Sequence, residues 1–211
     1  MNLHNYQNIS RILEPHQKLI AVSKGQDVEK IKLLYDKGHR DFGENFLQEL
    51  KEKKGILPDD INWHFLGNIQ SNKIKDIVAC SNLIHSIGRM KILDKILNVE
   101  PKNNIEILLQ LKLGKEDTKA GFSETEIYEI MESRRFKNIV LKGLMVIGEG
   151  KIKKEKLKKQ FLQANDVFKK MQLANKDVEY LSMGMSSDYA LALATGSNMI
   201  RIGTSIFGAR N

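Results

Sequence analysis

Lys24 closes an apolar run, Leu19-Ile20-Ala21-Val22-Ser23-Lys24, and a second run near the C-terminus reaches Arg201-Ile202-Gly203-Thr204. An apolar strand that stops at a single lysine places an amine instead of leaving it in bulk water. A glycine followed by a hydroxyl suits an anion. Together the two predict a phosphorylated aldehyde held as a Schiff base. Lys24 shares strand parity with Ile20 and Val22, so its stem continues an apolar row. Desolvation penalises the ammonium form, and a lysine driven towards neutrality is the nucleophile that condenses with an aldehyde. On spacing alone a snorkelling surface lysine stays open; the residues that accompany Lys24 turn the reading towards chemistry.

Arg201 lies between Ile200 and Ile202. If those two face a helical layer, Arg201 points the other way, with Met199 and Gly203. A buried guanidinium needs an acceptor, and either a carboxylate from a neighbouring strand or a ligand ring nitrogen meets that need. Two segments suit phosphate: Ser182-Met183-Gly184-Met185-Ser186-Ser187, with a helix expected from about Ser187, and Gly203-Thr204-Ser205-Ile206-Phe207-Gly208. Small residues let backbone N–H groups approach an anion and hydroxyls add donors. Asn45, after Asp41-Phe42-Gly43-Glu44, can donate to a ligand oxygen. His64 reads as an acid or base, or as a hydrogen-bonded structural histidine. Cys80 is the single cysteine, which excludes an internal disulfide and any multi-cysteine metal site. His-x-x-x-His pairs, a Ser/His/Asp order and a Gly-rich Walker loop are all missing from the sequence, so hydrolase and nucleotide-phosphatase readings lack support.

These residues need a frame. Apolar runs at 18–23, 40–43, 61–66, 83–86, 105–113, 140–147, 179–182 and 199–202 predict eight strands. Between them apolar residues recur three and four apart, as in Val28, Ile31, Leu34 and Tyr35, or Ile87, Met90, Leu93 and Leu97. Strands alternating with helices imply a parallel sheet with right-handed crossovers. Eight repeats fit a closed (β/α)8 TIM barrel; an open doubly wound sheet is the alternative. Residues 6–13 predict an extra N-terminal helix. In a barrel, active groups gather where strands end, and Lys24, Asn45, Gly67, Met183 to Ser186, and Gly203 with Thr204 all fall there.

Composition narrows the partners. With 41% hydrophobic and 28% charged residues in 211, the chain can build a sizeable core. No stretch approaches the ~20 apolar residues of a membrane helix, and the N-terminus lacks a basic segment followed by a hydrophobic one; the expected location is cytoplasmic. The formal charge of +8 raises nucleic acid as a partner. The densest basic tract, Lys151 to Lys159, runs into Leu157, Phe161, Ala164, Phe168 and Met171 at helical spacing, so one face should pack and the other be solvated.

The blocks Ile20-Ala21-Val22-Ser23-Lys24, Phe42-Gly43-Glu44-Asn45, Trp63-His64-Phe65-Leu66-Gly67 with Gln70-Ser71-Asn72-Lys73, Leu181 to Ser186, and Arg201 to Gly208 resemble, in order, the signatures of the YggS/PROSC family of pyridoxal 5′-phosphate (PLP) homeostasis proteins. The resemblance implies a single PLP-binding barrel over residues 1–211, like the N-terminal domain of alanine racemase, with PLP covalent on Lys24. It places Asn45 beside the cofactor ring, Arg201 at the pyridine nitrogen, and Ser186, Gly203 and Thr204 at the phosphate. A cationic arginine there disfavours ring protonation and weakens the electron sink, which suits holding and delivering PLP better than stabilising a carbanion. The expected partners are PLP and, transiently, PLP-dependent apoenzymes, with no specific nucleic acid, no membrane and a monomeric state. Asp27 stands where the family often has proline, Val146-Ile147-Gly148-Glu149-Gly150 departs from its usual course, and the N-terminal helix is short. The competing readings are an amino-acid racemase, which needs a second proton carrier such as His64, and a basic nucleic-acid-binding module.

Overall fold

The computed structural model describes residues 1–101, 104–114, 120–133, 136, 139–150 and 152–209. Alternating runs become alternating elements. In chain order they are α1 (Leu3–Ile12), β1 (Lys18–Val22), α2 (Val28–Tyr35), β2 (Asp41–Glu44), α3 (Leu47–Ile56) and β3 (Asn62–Phe65). A 3-10 turn (Ser71–Lys73) leads into α4 (Ile74–Cys80), then come β4 (Leu83–Ile87), α5 (Met90–Leu97), β5 (Ile105–Leu111) and α6 (Glu124–Ser133). The chain ends with β6 (Ile139–Val146), α7 (Lys154–Ala174), β7 (Tyr180–Ser182), α8 (Tyr189–Ala194), β8 (Met199–Ile202) and α9 (Thr204–Phe207). All neighbouring strands are parallel and β8 pairs with β1, so the sheet closes. The open-sheet alternative is thereby excluded.

Strand parity sorts the side chains into two cores. Ile20, Leu83, Leu108, Met145 and Met199 fill the barrel interior. Leu19, Ala21, Phe42, Ile200 and Ile202 belong to the larger layer between strands and helices. Local signals set the helices: Ser123 Oγ accepts from the Glu126 N–H while the Glu126 carboxylate accepts from the Ser123 N–H, a reciprocal cap that starts α6. In α7, Phe161, Ala164, Val167, Phe168 and Met171 are buried, and Lys154, Lys156, Lys158 and Lys159, with Lys153 just before the helix, are exposed. The basic tract is a solvated face, as its spacing predicts; Lys151 lies outside the described residues.

Two elements near the C-terminus are tied to the start of the chain. The Asn2 N–H donates to the Ile206 carbonyl at 2.6 Å and Asn5 Nδ2 to the Ser205 carbonyl at 2.7 Å. Helix α1 thus satisfies carbonyls that the short α9 would otherwise leave unpaired. The turn that precedes α9 is fixed from behind.

Candidate functional site

Strand β1 ends at Val22, Ser23 is buried, and Lys24 begins a turn in which it is half-buried. The turn is held by ions packed between β2 and α3. Lys53 Nζ donates to the Ser23 carbonyl (2.8 Å), to Glu44 Oε1 (2.7 Å) and to Glu49 Oε2 (3.0 Å). Ser23 Oγ donates to Glu44 Oε1 at 2.6 Å, and Glu49 Oε2 accepts from the Gly25 N–H at 2.7 Å. The residues on both sides of Lys24 are therefore fixed by one triad, in which Lys53 and Glu44 are buried and Glu49 is half-buried. Burial holds the Glu44 carboxyl above its ordinary range in spite of Lys53, and its Oε2 is buried with no partner.

Asn45 and Gly67 meet at the ends of β2 and β3. A side chain at position 67 would place its Cβ 1.8 Å from the Asn45 carbonyl oxygen, so only glycine lets these loops touch. Ser86 Oγ in turn donates to the Gly67 carbonyl. Among the described residues the Asn45 side-chain amide carries no protein hydrogen bond.

Arg201 points into the barrel with Met199, opposite in parity to Ile200 and Ile202. Its Nη1 donates to the Ser182 carbonyl and to Ser182 Oγ, both at 2.7 Å, and Nη2 to the Val146 carbonyl at 2.8 Å. Among the described residues it forms no ion pair, and Nε–H and one Nη2 hydrogen have no protein acceptor. The carboxylate from a neighbouring strand, one of two acceptors the sequence leaves open, is not there. Burial pushes the guanidinium down to about 10 against the opposing pull of Asp188, so it remains a cation at neutral pH.

The phosphate candidates converge. Thr204 Oγ1 donates to Ser186 Oγ at 3.3 Å, joining the turns after β7 and β8. Val22, Lys24, Gln26, Gly203, Thr204 and Gly208 line one hollow enclosing about 20 Å³, a foothold for a group the size of a water or a phosphate oxygen. The helix expected from Ser187 instead begins at Tyr189 and is six residues long. Asp188 precedes it, and its carboxylate accepts from the Met185 N–H at 2.6 Å, so a fixed negative charge already occupies that end. A wider hollow, about 1180 Å³, opens at the strand starts, where Lys54, Lys75 and Lys142 are balanced by Glu100, Glu106 and Asp177. Neither its place nor its charge suits an anion site.

His64 is not at the mouth. It is buried inside the barrel with Nδ1 3.0 Å from His85 Nε2 and Nε2 3.2 Å from Asp41 Oδ1, while His85 Nδ1 lies 3.0 Å from Ser182 Oγ. Cys80 is half-buried, and the described residues contain no group of His, Cys, Asp and Glu side chains able to hold a metal. Sequence reasoning missed His85, Lys53 and Glu49, and it read Ser182 as part of a phosphate segment, whereas Ser182 accepts from Arg201. Parity offered a signal for His85 and for the role of Ser182, since these polar residues fall on inward positions of β4 and β7; Lys53 and Glu49 read as ordinary surface positions of a helix.

A closed parallel barrel whose strand ends gather an amine, a buried guanidinium and paired hydroxyls is a small-ligand-binding member of the (β/α)8 class. The chain belongs to the alanine racemase N-terminal domain family, which matches residues 3–211, and within it to the pyridoxal phosphate homeostasis proteins. The protein of that name from Vibrio alginolyticus is 36% identical over 202 residues, covering 92% of this chain and 87% of its own. That from Aquifex aeolicus is 33% identical, with 97% of each chain covered. The structure of PipY from Synechococcus elongatus with PLP bound superposes with a TM-score of 0.88 at 32% identity, over 99% of this chain and 100% of PipY. An alanine racemase from Clostridium difficile, TM-score 0.79 at 19% identity, shares the fold over 56% of its length.

Proposed function

We propose that this protein holds PLP covalently through Lys24 at the barrel mouth and buffers or delivers it to PLP-dependent apoenzymes, without substantial turnover of its own. One observation carries the reading: Lys24, Gly203 and Thr204 line a single hollow, while beneath the mouth a buried arginine lacks a carboxylate partner and keeps donors unspent. The names of the relatives and the PLP-bound PipY structure support the choice of cofactor.

The residues present fit PLP. Gly203, Thr204 and Ser186 would hold its phosphate, Arg201 would donate to the ring nitrogen through a remaining N–H, and Asn45 would lie beside the ring. When bound, PLP supplies the aldehyde with which an amine condenses. The triad behind residues 23–25 keeps the Lys24 turn in one place, so capture costs less ordering. Arg201 stays cationic and disfavours a proton on the ring nitrogen, which keeps the site a holder of the cofactor. A two-base racemase would need a second proton carrier at the mouth; His64 faces the interior with both ring nitrogens engaged. The exposed lysines of α7 are one face of a packed helix, and we read no specific nucleic-acid partner from them.

The test is direct. Purified protein mixed with PLP, reduced with borohydride and mapped by peptide mass should carry one main adduct, on Lys24, that Lys24→Ala abolishes. An adduct that persists in Lys24→Ala, or loss of optical activity of amino acids at enzymatic rates, would overturn this function.

A further inference from the structure

The barrel interior holds a polar chain that neither the family likeness nor the mouth of the site requires. It runs from Arg201 through Ser182, His85 and His64 to Asp41, the first residue of β2, at the floor of the barrel. His85 and Ser182 are fully buried and His64 nearly so; the two imidazoles stand edge to face with centroids 5.2 Å apart.

Donor counting fixes the direction of every hydrogen bond. Arg201 Nη1 only donates, so Ser182 Oγ accepts there and its own hydrogen goes to His85 Nδ1. His85 must then carry its proton on Nε2 and donate to His64 Nδ1. His64 carries its proton on Nε2 and donates to the Asp41 carboxylate. The reverse direction requires His64 to be doubly protonated, because a carboxylate cannot donate, and leaves the Ser182 hydrogen without an acceptor. With two neutral histidines every proton in the chain is placed, and its ends carry opposite charges.

We propose that Ser182, His85, His64 and Asp41 are positioning residues, a one-directional hydrogen-bond chain that orients Arg201 and sets how its free N–H groups meet the ring nitrogen of the cofactor; the last step rests on the function proposed above. Asp41 anchors the direction and Ser182 delivers it as a lone pair aimed at Nη1. The cation is thereby turned by neutral partners and keeps its full charge for the ligand. A carboxylate in place of Ser182 would have neutralised it.

The test has two arms. Nitrogen-15 NMR of the histidines in the cofactor-free full-length protein at pH 7 should show His64 and His85 both neutral with the proton on Nε2. Asp41→Leu removes the terminal acceptor, so neither direction satisfies every donor and the Nδ1 tautomer of His85, two side chains away, should become populated beside Nε2, whereas Asp41→Asn keeps an acceptor and should restore the wild-type pattern. In the second arm, PLP release to an excess of a PLP-free apoenzyme should quicken about tenfold in Asp41→Leu and His85→Phe, the scale of one hydrogen bond to a charged group, and stay within about twofold in Asp41→Asn. A wild-type His85 protonated on Nδ1, a His85 tautomer indifferent to Asp41→Leu, or release rates equal in all variants would each overturn the proposal. Wild-type protein that binds no PLP would instead sink the function proposed above, and the tautomers would still decide whether the chain exists.

Discussion

Lys53→Met should be among the costliest single changes on the helical side of this barrel. It keeps the length of the stem and removes only the amine that joins Glu44, Glu49 and the Ser23 carbonyl. Lys53 is 7% exposed and Glu44 fully buried, so water does not replace the lost cation. Stripping one partner from such a pair leaves an uncompensated charge and costs about 3–5 kcal/mol. The Glu44 carboxylate is poorly provided for even now, with one oxygen unpartnered. Pairing Lys53→Met with Glu44→Leu removes that stranded charge, so the double variant should lose about 2 kcal/mol less than the single one. Equilibrium urea unfolding with an unchanged slope measures both. The sign with pH is also set. Burial already raises the Glu44 carboxyl in the folded state, and a raised group favours the fold below its unfolded value of about 4.5 and loses that contribution as pH climbs through the folded one. Without Lys53 the carboxyl rises further, so the deficit should be smaller at pH 5 than at pH 8. A Lys53→Met protein within about 1 kcal/mol of wild type, or a deficit larger at pH 5, would refute the reasoning.

Other consequences can be measured with the same tools. Gly67→Ala drives a methyl into the Asn45 carbonyl and should cost about 3 kcal/mol and weaken PLP binding, whereas Gly55→Ala, whose added methyl meets nothing within 4 Å, should gain about 0.5–1 kcal/mol from helix propensity. Burial holds His85 and His39 below the ordinary histidine range; the unfolded chain takes protons that the fold refuses, so stability should fall as pH drops below about 6.5, by up to ~1.4 kcal/mol per unit for each group. His85→Gln should remove its share of that slope, and urea midpoints at pH 7, 6 and 5 would show whether it does.

The eight strands were legible because each is an apolar run bounded by polar turns, and the amphipathic stretches between them left parallel closure as the economical solution. Met199–Ile202 is read to the residue; others shift by one or two, as at β2, where Glu44 extends the strand that sequence ends at Gly43. The inward aim of Arg201 followed from Ile200 and Ile202 alone. Lys24 was less accurately placed: the parity argument treats it as a strand position, whereas the chain turns after Ser23 and the amine is set by that turn. The helix after β7 starts at Tyr189, later than expected, because residues 186–188 form a turn in which the Asp188 carboxylate accepts from the Met185 N–H. The supports behind the mouth were illegible for a common reason. Ser182, His85, His64 and Asp41 lie on four different strands, and Lys53 reaches Ser23 across 30 positions, so no local window contains the contact that gives them meaning.

Both supports answer the same physical problem from opposite sides of one wall. A group that must bind a charged ligand has to be held firmly without being neutralised. For the turn that carries Lys24, the structure places a cation and two carboxylates in the helical layer, where they grip Ser23 and Gly25 by backbone and hydroxyl contacts. For Arg201 it places neutral donors and acceptors inside the barrel and puts the balancing carboxylate, Asp41, at the far end of the chain. Distance matters here, since a carboxylate in contact would have taken the guanidinium hydrogens and screened the charge from a ligand. Burial pulls Asp41 towards its neutral form, and the His64 hydrogen bond together with the nearby Lys18 ammonium offsets this, holding its carboxyl below the ordinary range. The anchor therefore remains an acceptor at neutral pH, and Arg201 faces the mouth as a cation oriented by groups that never compete for it.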